Sequence, residues 1–315
     1  MKDKFLSKLT VVDLTHRLPG PLAGHLLHTM GARTIKIEDD KFGDPFLDGF
    51  FKKMDPSFSL WYEALNSGKE IKRFSLKENT SELIQLLKQA DIVLMGLPSK
   101  LQGQLGVNFQ ALKEVISKPF SFIQMTSSHT DRSGMHDLNA LAKSRLLDLY
   151  LFNQKNKGEE TTKRIRPPFL PMAGISYGAM LAQHSLAAYI MAKETGVAQE
   201  SVLSLEESVE ALLVPFYSKE LSSTGQREFL HNGRYPCYNI YQLKGVGHLA
   251  VACLEEKYWN RFCDILNLEL AELDRFEYTD PKIFNTIELA ISKLSLEEAK
   301  SKFIGQDCCV DVLDP

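Results

Sequence analysis

Residues 9–37 decide the fold and read LTVVDLTHRLPGPLAGHLLHTMGARTIKI. The apolar run at 9–14 is typical of a buried strand. After a Pro-Gly-Pro turn, residues 22–30 form an apolar helical pattern that Gly31 is well placed to end. Residues 34–37 predict the next strand. A strand, a helix and a strand in this order make a βαβ unit, which implies parallel strands and a right-handed crossover.

The alternation of strands and helices continues along the first half of the chain. Further strands are predicted at 71–76, 91–95 and 120–125, and further helices at 81–89, 109–117 and 138–151. This alternation is typical of an α/β fold, with an open and mostly parallel sheet covered by helices on both faces.

A polar stretch at 153–168 interrupts the pattern, and we interpret it as an exposed loop. Two helices are predicted after it, at 180–193 and 203–216. The first of them is nearly all apolar, so it should be buried or pack against a partner.

The character of the sequence changes after about residue 224. The predicted elements are a hairpin of two strands at 238–243 and 248–253, an amphipathic helix at 255–266 and a short strand at 308–312. We therefore predict a large α/β domain over 1–224 and a smaller α+β domain over 225–315.

The composition argues against several classes of partner. The formal net charge is −3 and 24% of the residues are charged, which favours neither nucleic acid nor an acidic membrane surface. No apolar run is long enough to span a bilayer, and residues 1–8 lack the apolar core of a signal peptide. The five cysteines, an odd number without CxxC spacing, argue against disulfides and zinc. We expect a cytoplasmic protein whose cysteines are buried as small apolar side chains.

Phosphate-binding and hydrolase motifs are absent from the sequence. It contains no GxGxxG, no GxxxxGK[ST] and no GxSxG, which disfavours dinucleotide enzymes, P-loop proteins and α/β-hydrolases. The turn at 18–21, LPGP, still allows close approach by a ligand, and the helix after it could attract a phosphate or carboxylate. A tight turn without a ligand is the alternative.

Most histidines in the sequence are interpreted as ordinary packing residues. His25 and His28 are three positions apart on one predicted helix, but no third ligand is near, so we expect no metal site. The isolated histidines are His16, His129, His184, His231 and His248.

His136 and Asp137 are different, because they stand where a polar loop meets a predicted helix. In an α/β sheet such loops lie near the carboxyl ends of the strands, where ligands bind. A histidine there is suited to general acid–base catalysis. A capping role for the pair is the alternative.

Short segments in a shared order resemble the class III CoA-transferase family. They are VVDLTHRLPGP at 11–21, MGARTIKIE at 30–38, GDP at 43–45, NSGK at 66–69, ADIVL at 90–94, LGVNFQAL at 105–112, GMHDLN at 134–139 and TGVAQ at 195–199. Residues 238–266 and 305–313 are similar to the α-methylacyl-CoA racemase branch of that family.

The resemblance implies a fold, a substrate and an assembly. The fold would be a large Rossmann-like domain plus a small one, in two chains that interlock as a homodimer. The substrate would be an acyl-CoA thioester, without a metal or a permanently bound cofactor. The candidate CoA-binding residues are Arg17, Pro19, Gly20, Asn66, Lys69, Lys72, Lys100 and Gln104.

The resemblance also assigns the chemistry, and here the sequence departs from the family. A racemase needs two acid–base groups, one on each side of the α-carbon of the acyl group. By resemblance, His136 is one of them. The other is an aspartate, which in the transferase branch is the nucleophile. Ile175 occupies its position, and no Asp or Glu lies between Arg166 and Glu194. Asp137 beside His136 is our second catalytic candidate, as an acid that could replace the missing one.

Positions where relatives carry arginines that contact CoA have also changed. They are Asp39, Pro98, Gln104 and Val197. Two hypotheses remain: an acyl-CoA-processing enzyme that abstracts an α-proton or transfers CoA, and a catalytically inactive member that binds a ligand or a partner. With His136 as the lone base, we expect slow α-proton exchange with retention of configuration.

Overall fold

The computed structural model describes residues 4–129, 135–155, 168, 170–214 and 230–314. It forms two compact units, the larger drawn from residues up to 214 and the smaller mainly from residues 230–314. The predicted domain boundary after residue 224 lies outside the described residues and stays a prediction. Of the predicted loop at 153–168, the first three residues are helical, and 156–167 also lie outside the described part.

The larger unit is built on a sheet of six parallel strands. In chain order they are β1 (Thr10–Leu14), β2 (Arg33–Asp39), β3 (Glu70–Phe74), β4 (Ile92–Met95), β5 (Ser121–Thr126) and β6 (Gln199–Ser204). Their order across the sheet is β3-β2-β1-β4-β5-β6, with Val11 paired to Thr34 on one side and to Ile92 on the other. The predicted α/β fold with a parallel sheet is confirmed.

Eleven helices of the larger unit lie within its described residues. They are α1 (Pro19–Thr29), α2 (Pro45–Asp48), α3 (Phe50–Met54), α4 (Ser57–Asn66), α5 (Thr80–Leu87), α6 (Ser99–Leu105), α7 (Phe109–Val115), α8 (Asp137–Lys143), α9 (Leu146–Lys155), α10 (Met172–Thr195) and α11 (Leu205–Leu213). Side chains of α1, α8, α10 and α11 share one core with Val11, and those of α5, α6 and α7 share another with Val12. Successive strand residues point to opposite faces, so both faces of the sheet are covered.

The structure corrects two predicted helices and adds a strand that was not predicted. The helix predicted at 180–193 begins at Met172, and the one predicted at 138–151 is two helices that meet near Arg145, whose φ is 65°. Strand β6 was not predicted, because its sequence QESVLS lies at the edge of the sheet and is largely polar.

The early start of α10 follows from its packing on α1. A Cβ on Gly174 would come within 2.8 Å of Leu18 Cδ2, and one on Gly178 within 2.8 Å of Leu22 Cδ2. These glycines, four residues apart, form a flat strip that admits Leu18, which precedes α1, and Leu22 within it. Glycine lowers intrinsic helix propensity, which made this segment look unlike a helix. Tertiary packing reverses that preference.

The smaller unit contains an antiparallel sheet, β7 (Tyr238–Gln242), β8 (His248–Ala252) and β9 (Val310–Leu313). The predicted hairpin is confirmed, with Gln242 paired to His248. Its helices are α12 (Glu256–Leu266), α13 (Pro281–Ile291) and α14 (Leu296–Phe303). Trp259, Phe262, Ile287 and Phe303 fill the core that these helices share with the sheet.

The five cysteines are free thiols in this unit, and four of them are buried as predicted. Cys309 is exposed, and both it and Cys308 precede β9 rather than belonging to it, because Cys309 adopts φ 53°. None of the helices in the described ranges is long and apolar enough to cross a membrane.

Candidate active site

The loops after β1 and β4 close on each other at the carboxyl edge of the larger sheet. The backbone N–H of Gly96, just after β4, donates to Leu14 O at 3.2 Å, and a Cβ on Gly96 would come within 3.2 Å of Thr15 Cα. The strand order reverses between β1 and β4. Open α/β sheets bind their ligands at this position.

Arg17 lies in the turn after β1 with a strained backbone. Its φ is 68°, and its N–H donates to both carboxylate oxygens of Asp44, at 3.2 and 3.1 Å. Asp44 is fully buried and also accepts from Phe46 N at the start of α2. The exposed guanidinium lies 5.4 Å from the ring centre of Phe51. A left-handed non-glycine residue held by a buried carboxylate is typical of functional turns.

Pro19 and Gly20, both predicted to contact CoA, begin α1 after this turn. Proline at the start of a helix lacks only an N–H that would be unpaired anyway. A Cβ on Gly20 would lie 2.2 Å from Thr15 Oγ1, so only glycine fits there. The two residues therefore contribute backbone rather than side-chain functional groups.

Asn66 and Lys69, also predicted to contact CoA, lie behind the turn in a buried polar network. Lys69 Nζ donates to Asp13 Oδ2 at 3.2 Å, to Pro21 O at 2.9 Å and to Asn66 Oδ1 at 3.0 Å. An ammonium group has only three protons, and these bonds use them all. Lys69 thus supports the start of α1 from within, and this geometry does not favour its predicted contact with a CoA phosphate.

A second lysine completes the buried network. Lys36 Nζ donates to Thr15 O at 2.5 Å and lies 3.6 Å from Asp44 and 3.8 Å from Glu38. Burial alone would raise the pKa of Asp13, but Lys69 and Lys36 hold it below its usual value. The carboxylate therefore stays ionised, and the network is a fixed platform under the turn.

The other candidate CoA-binding side chains are exposed. Lys72 lies on the edge strand β3, and Lys100 and Gln104 lie on α6, which follows β4. Asp39, where relatives carry an arginine by resemblance, accepts backbone N–H groups of Lys41 and Leu76 at 3.1 Å each. Its carboxylate thus fastens the end of β2.

Asp137 joins α8 to the N-terminus of α10. Its Oδ1 accepts from Gly174 N at 2.7 Å, while the N-cap residue Pro171 has no side-chain hydrogen bond to offer. Burial raises the pKa of Asp137, although hydrogen bonds from Gly174 and Ala173 oppose that rise. The capping alternative therefore applies to Asp137, but the helix that it caps is α10.

His136 precedes Asp137 at the N-cap position of α8, and its side chain is exposed. Its backbone N–H donates to Asn139 Oδ1 at 3.1 Å. This contact fixes the backbone of the residue and leaves the ring accessible at the carboxyl edge.

Ile175 is half-buried in the first turn of α10, next to the glycine that Asp137 caps. The hydroxyls beside it are engaged. Ser176 Oγ donates to Ser208 O at 2.7 Å, and Tyr177 Oη accepts from Thr126 N at 3.0 Å. Burial raises the pKa of Tyr177, so this phenol stays neutral. Neither hydroxyl is placed to replace a carboxylate.

His129 and Glu207 form a pair that the sequence interpretation missed. His129 Nε2 lies 2.8 Å from Glu207 Oε2, which also accepts from Ser204 N at 3.3 Å. Burial pushes the pKa of Glu207 upward, but hydrogen bonds from His129 and Ser204 bring it below its usual value. The S-x-x-E pattern at 204–207 is a signal for a helix start that could have located Glu207.

Metal chemistry has no obvious centre in this region. Within the described ranges, no cluster of three or more His, Cys, Asp or Glu side chains could hold a metal ion.

The fold defines a doubly wound α/β protein, and the candidate site residues lie near the carboxyl ends of its strands. The chain belongs to CoA-transferase family III, whose family model matches residues 6–314. It is 25% identical over 323 residues to a CaiB/baiF CoA-transferase family protein of Caenorhabditis elegans, covering 99% of this chain and 86% of the relative. It is 25% identical over 305 residues to acetyl-CoA:oxalate CoA-transferase of Acetobacter aceti, covering 93% and 74%.

Solved structures show the same fold. A CaiB/BaiF family protein from Brucella suis matches with a TM-score of 0.75 at 19% identity, covering 100% of this chain and 85% of that one. A hypothetical protein from Mycobacterium tuberculosis matches with a TM-score of 0.69 at 18% identity, covering 98% and 84%. The predicted family is confirmed, while the racemase branch and the interlocked homodimer stay predictions.

Proposed function

We propose that the protein is an enzyme that processes acyl-CoA thioesters by abstracting the α-proton of the acyl group. CoA transfer through an aspartyl intermediate is disfavoured because Ile175 stands where the resemblance places the aspartate. His136 is the proposed acid–base group, and Asp137 holds the helix beside it.

One observation carries this proposal: two segments of family resemblance meet at the first turn of α10. Leu18 of the LPGP turn packs on Gly174, where a Cβ would come within 2.8 Å of Leu18 Cδ2. Asp137 of the GMHDLN segment binds Gly174 N at 2.7 Å. A thioester at this edge would lie near the positive N-termini of α1 and α10, which favour a phosphate and a developing enolate.

A second candidate function rests on Ile175 itself. Its half-buried apolar side chain stands among groups that are held in place, namely Asp137, Ser176 and Tyr177. This arrangement supports a family member that binds an acyl-CoA or a protein partner without turnover.

We also propose that the protein acts as a cytoplasmic homodimer without a resident metal or redox cofactor. The apolar helix α10 supports an interface of the kind implied by the resemblance. Sedimentation at micromolar concentration should give about twice the chain mass, and a monomer would contradict this part of the proposal.

The first experiment is calorimetric titration of the purified protein with CoA and acetyl-CoA at moderate salt. We expect a dissociation constant in the micromolar range. Deuterium incorporation into 2-methylbutanoyl-CoA in heavy water then measures α-proton abstraction. His136→Ala should slow it at least about tenfold, since general acid–base groups contribute about 10²–10⁴-fold.

His248→Ala is the matched control, because His248 is exposed on β8 and the described residues make no hydrogen bond to its ring. CoA binding without measurable exchange would favour the non-catalytic function. A folded protein that binds neither CoA nor acetyl-CoA would contradict both.

A further inference from the structure

The His129–Glu207 pair has the arrangement of an oriented acid–base group. Glu207 is fixed by the backbone of Ser204 and by its own place in the first turn of α11. Its carboxylate in turn holds His129 at 2.8 Å. Because an ionised carboxylate only accepts hydrogen bonds, the proton of a neutral His129 ring lies on Nε2. That leaves the lone pair on Nδ1, to which no described residue donates.

The pair is accessible to a ligand. The side chains of His129 and Glu207 are 40% and 47% exposed. A contact with this exposure contributes little to stability, since solvent competes with it and two side chains must be ordered.

Helix α8, which follows His136, and helix α11, which carries Glu207, both contact the turn that carries Ile175. On one side of Ile175, Gly174 N donates to Asp137, the neighbour of His136. On the other side, Ser176 Oγ donates to Ser208 O, the neighbour of Glu207. Glu207 is also close enough to contribute to the raised pKa of Tyr177. The first turn of α10 thus lies between the helix that follows His136 and the helix that carries Glu207.

We propose that His129, positioned by Glu207, is the second acid–base group of this site and takes the part that the missing aspartate would have. This inference rests on the proposed α-proton chemistry. It predicts that the protein inverts the α-carbon of a 2-methylacyl-CoA, whereas the lone base expected from the sequence would only exchange the proton with retention.

His136 and His129 exchange the roles of base and proton donor between the two directions of racemisation. In one direction neutral His136 takes the α-proton, the C–H bond breaks and its electron pair passes into the enolate of the thioester. Protonated His129 then donates a proton from Nδ1 to the opposite face of the α-carbon. In the other direction His129 is the base and His136 the donor, so no oxidant or further reactant is required.

The test follows each enantiomer of 2-methylbutanoyl-CoA in heavy water, measuring deuterium by mass spectrometry and configuration by chiral chromatography. We expect the wild-type protein to form the opposite enantiomer with deuterium at the α-carbon. His129→Gln should slow inversion at least about tenfold without changing KM, because one acid–base group contributes about 10²–10⁴-fold. Exchange of the enantiomer whose proton faces His136 should persist with retention.

Glu207 is a positioning residue, and its variants separate that role from folding. Glu207→Gln should slow inversion, and Glu207→Asp should restore part of the rate. Glu210→Gln and His248→Gln are matched controls, because Glu210 is exposed on the helix that carries Glu207 and His248 is exposed on β8. Thermal unfolding should be nearly unchanged in all of these variants.

The possible outcomes distinguish failure of the proposed role of His129 from failure of the proposed α-proton abstraction. Wild-type exchange without inversion, or unchanged inversion in His129→Gln, would overturn the role of His129 and leave the proposed function standing. Absence of both exchange and inversion in a protein that binds CoA would overturn both.

Discussion

Two polar regions of the larger unit differ in whether their titratable side chains are buried and paired or exposed to solvent. Under α1, the charged groups of Asp13, Lys36 and Lys69 are buried and paired with one another or with backbone oxygens. At the edge where α8, α10 and α11 meet, His129 and His136 are exposed to solvent. The charged groups of the first region are paired within the protein, whereas the two histidine side chains of the second are accessible to solvent.

The comparison shows that residue type alone did not separate scaffold from site. Lys69 looked like a phosphate ligand in the sequence because it is a lysine in a family-like NSGK segment. Its three bonds in the structure assign it to the scaffold. His129 looked like a packing residue because its partner Glu207 is 78 positions away.

The largest effect is expected on stability, from breaking the buried network of charges under α1. Lys69→Met removes the ammonium and leaves the buried carboxylate of Asp13 short of its partner. Breaking a buried ion pair in this way should cost about 3–5 kcal/mol of unfolding free energy. Urea unfolding measures it, with Lys72→Met on the exposed edge strand as the control, expected to change stability by less than about 0.5 kcal/mol. Equal effects of the two substitutions would contradict the structural role of Lys69.

Much of the fold could be predicted because, in its core, the hydrophobic periodicity and the turn residues indicate the same strands and helices. In β1, Val11 faces one core and Val12 the other, so the strand is apolar on both sides. The polar edge strand β6 and the glycine-containing start of α10 could not be predicted in this way. Their conformations depend on partners far along the chain, such as Leu18 against Gly174.

The candidate site was predicted in part. The turn at Arg17 and the His136–Asp137 pair lie at the carboxyl edge of the sheet, as their positions after strands implied. The carboxylate contact from Asp137 to Gly174 joins residues 37 positions apart, and no local pattern indicates it. The roles of these residues toward CoA stay predictions.

The next largest effect is expected from a substitution at Ile175, in the exposed polar region. Ile175→Asp should create a nucleophile in the first turn of α10, where the helix dipole stabilises a carboxylate. Release of CoA from acetyl-CoA with hydroxylamine as the acceptor should rise at least about tenfold over Ile175→Asn, which is about 1.4 kcal/mol of transition-state free energy. Chromatographic detection of free CoA measures it.

The isosteric control separates chemistry from shape. Asparagine has nearly the same volume as aspartate but cannot form a mixed anhydride. If Ile175→Asp and Ile175→Asn release CoA equally, the remaining site has lost its geometry for acyl transfer, and the non-catalytic function gains support.

The smallest effect concerns Asp137, a half-buried carboxylate of the second region that is bound to the N-terminus of α10. Asp137→Asn keeps an oxygen that can accept from Gly174 N, so unfolding free energy at pH 7 should change by less than about 1 kcal/mol. Asp137→Ala removes the acceptor and should cost about 1 kcal/mol. Urea unfolding of both variants checks this order.

The pH dependence of that small difference has a defined sign. Burial raises the pKa of Asp137 in the folded state above its usual value of 3.8, so the folded state binds the proton more tightly than the unfolded chain. Wild-type stability relative to Asp137→Asn should therefore fall as pH rises from about 3.8 through the raised folded-state pKa, and then stay constant. Unfolding free energies of both proteins across this window measure the difference. An opposite slope would mean that hydrogen bonds from Gly174 and Ala173 outweigh burial, which would make Asp137 a fixed anion like those under α1.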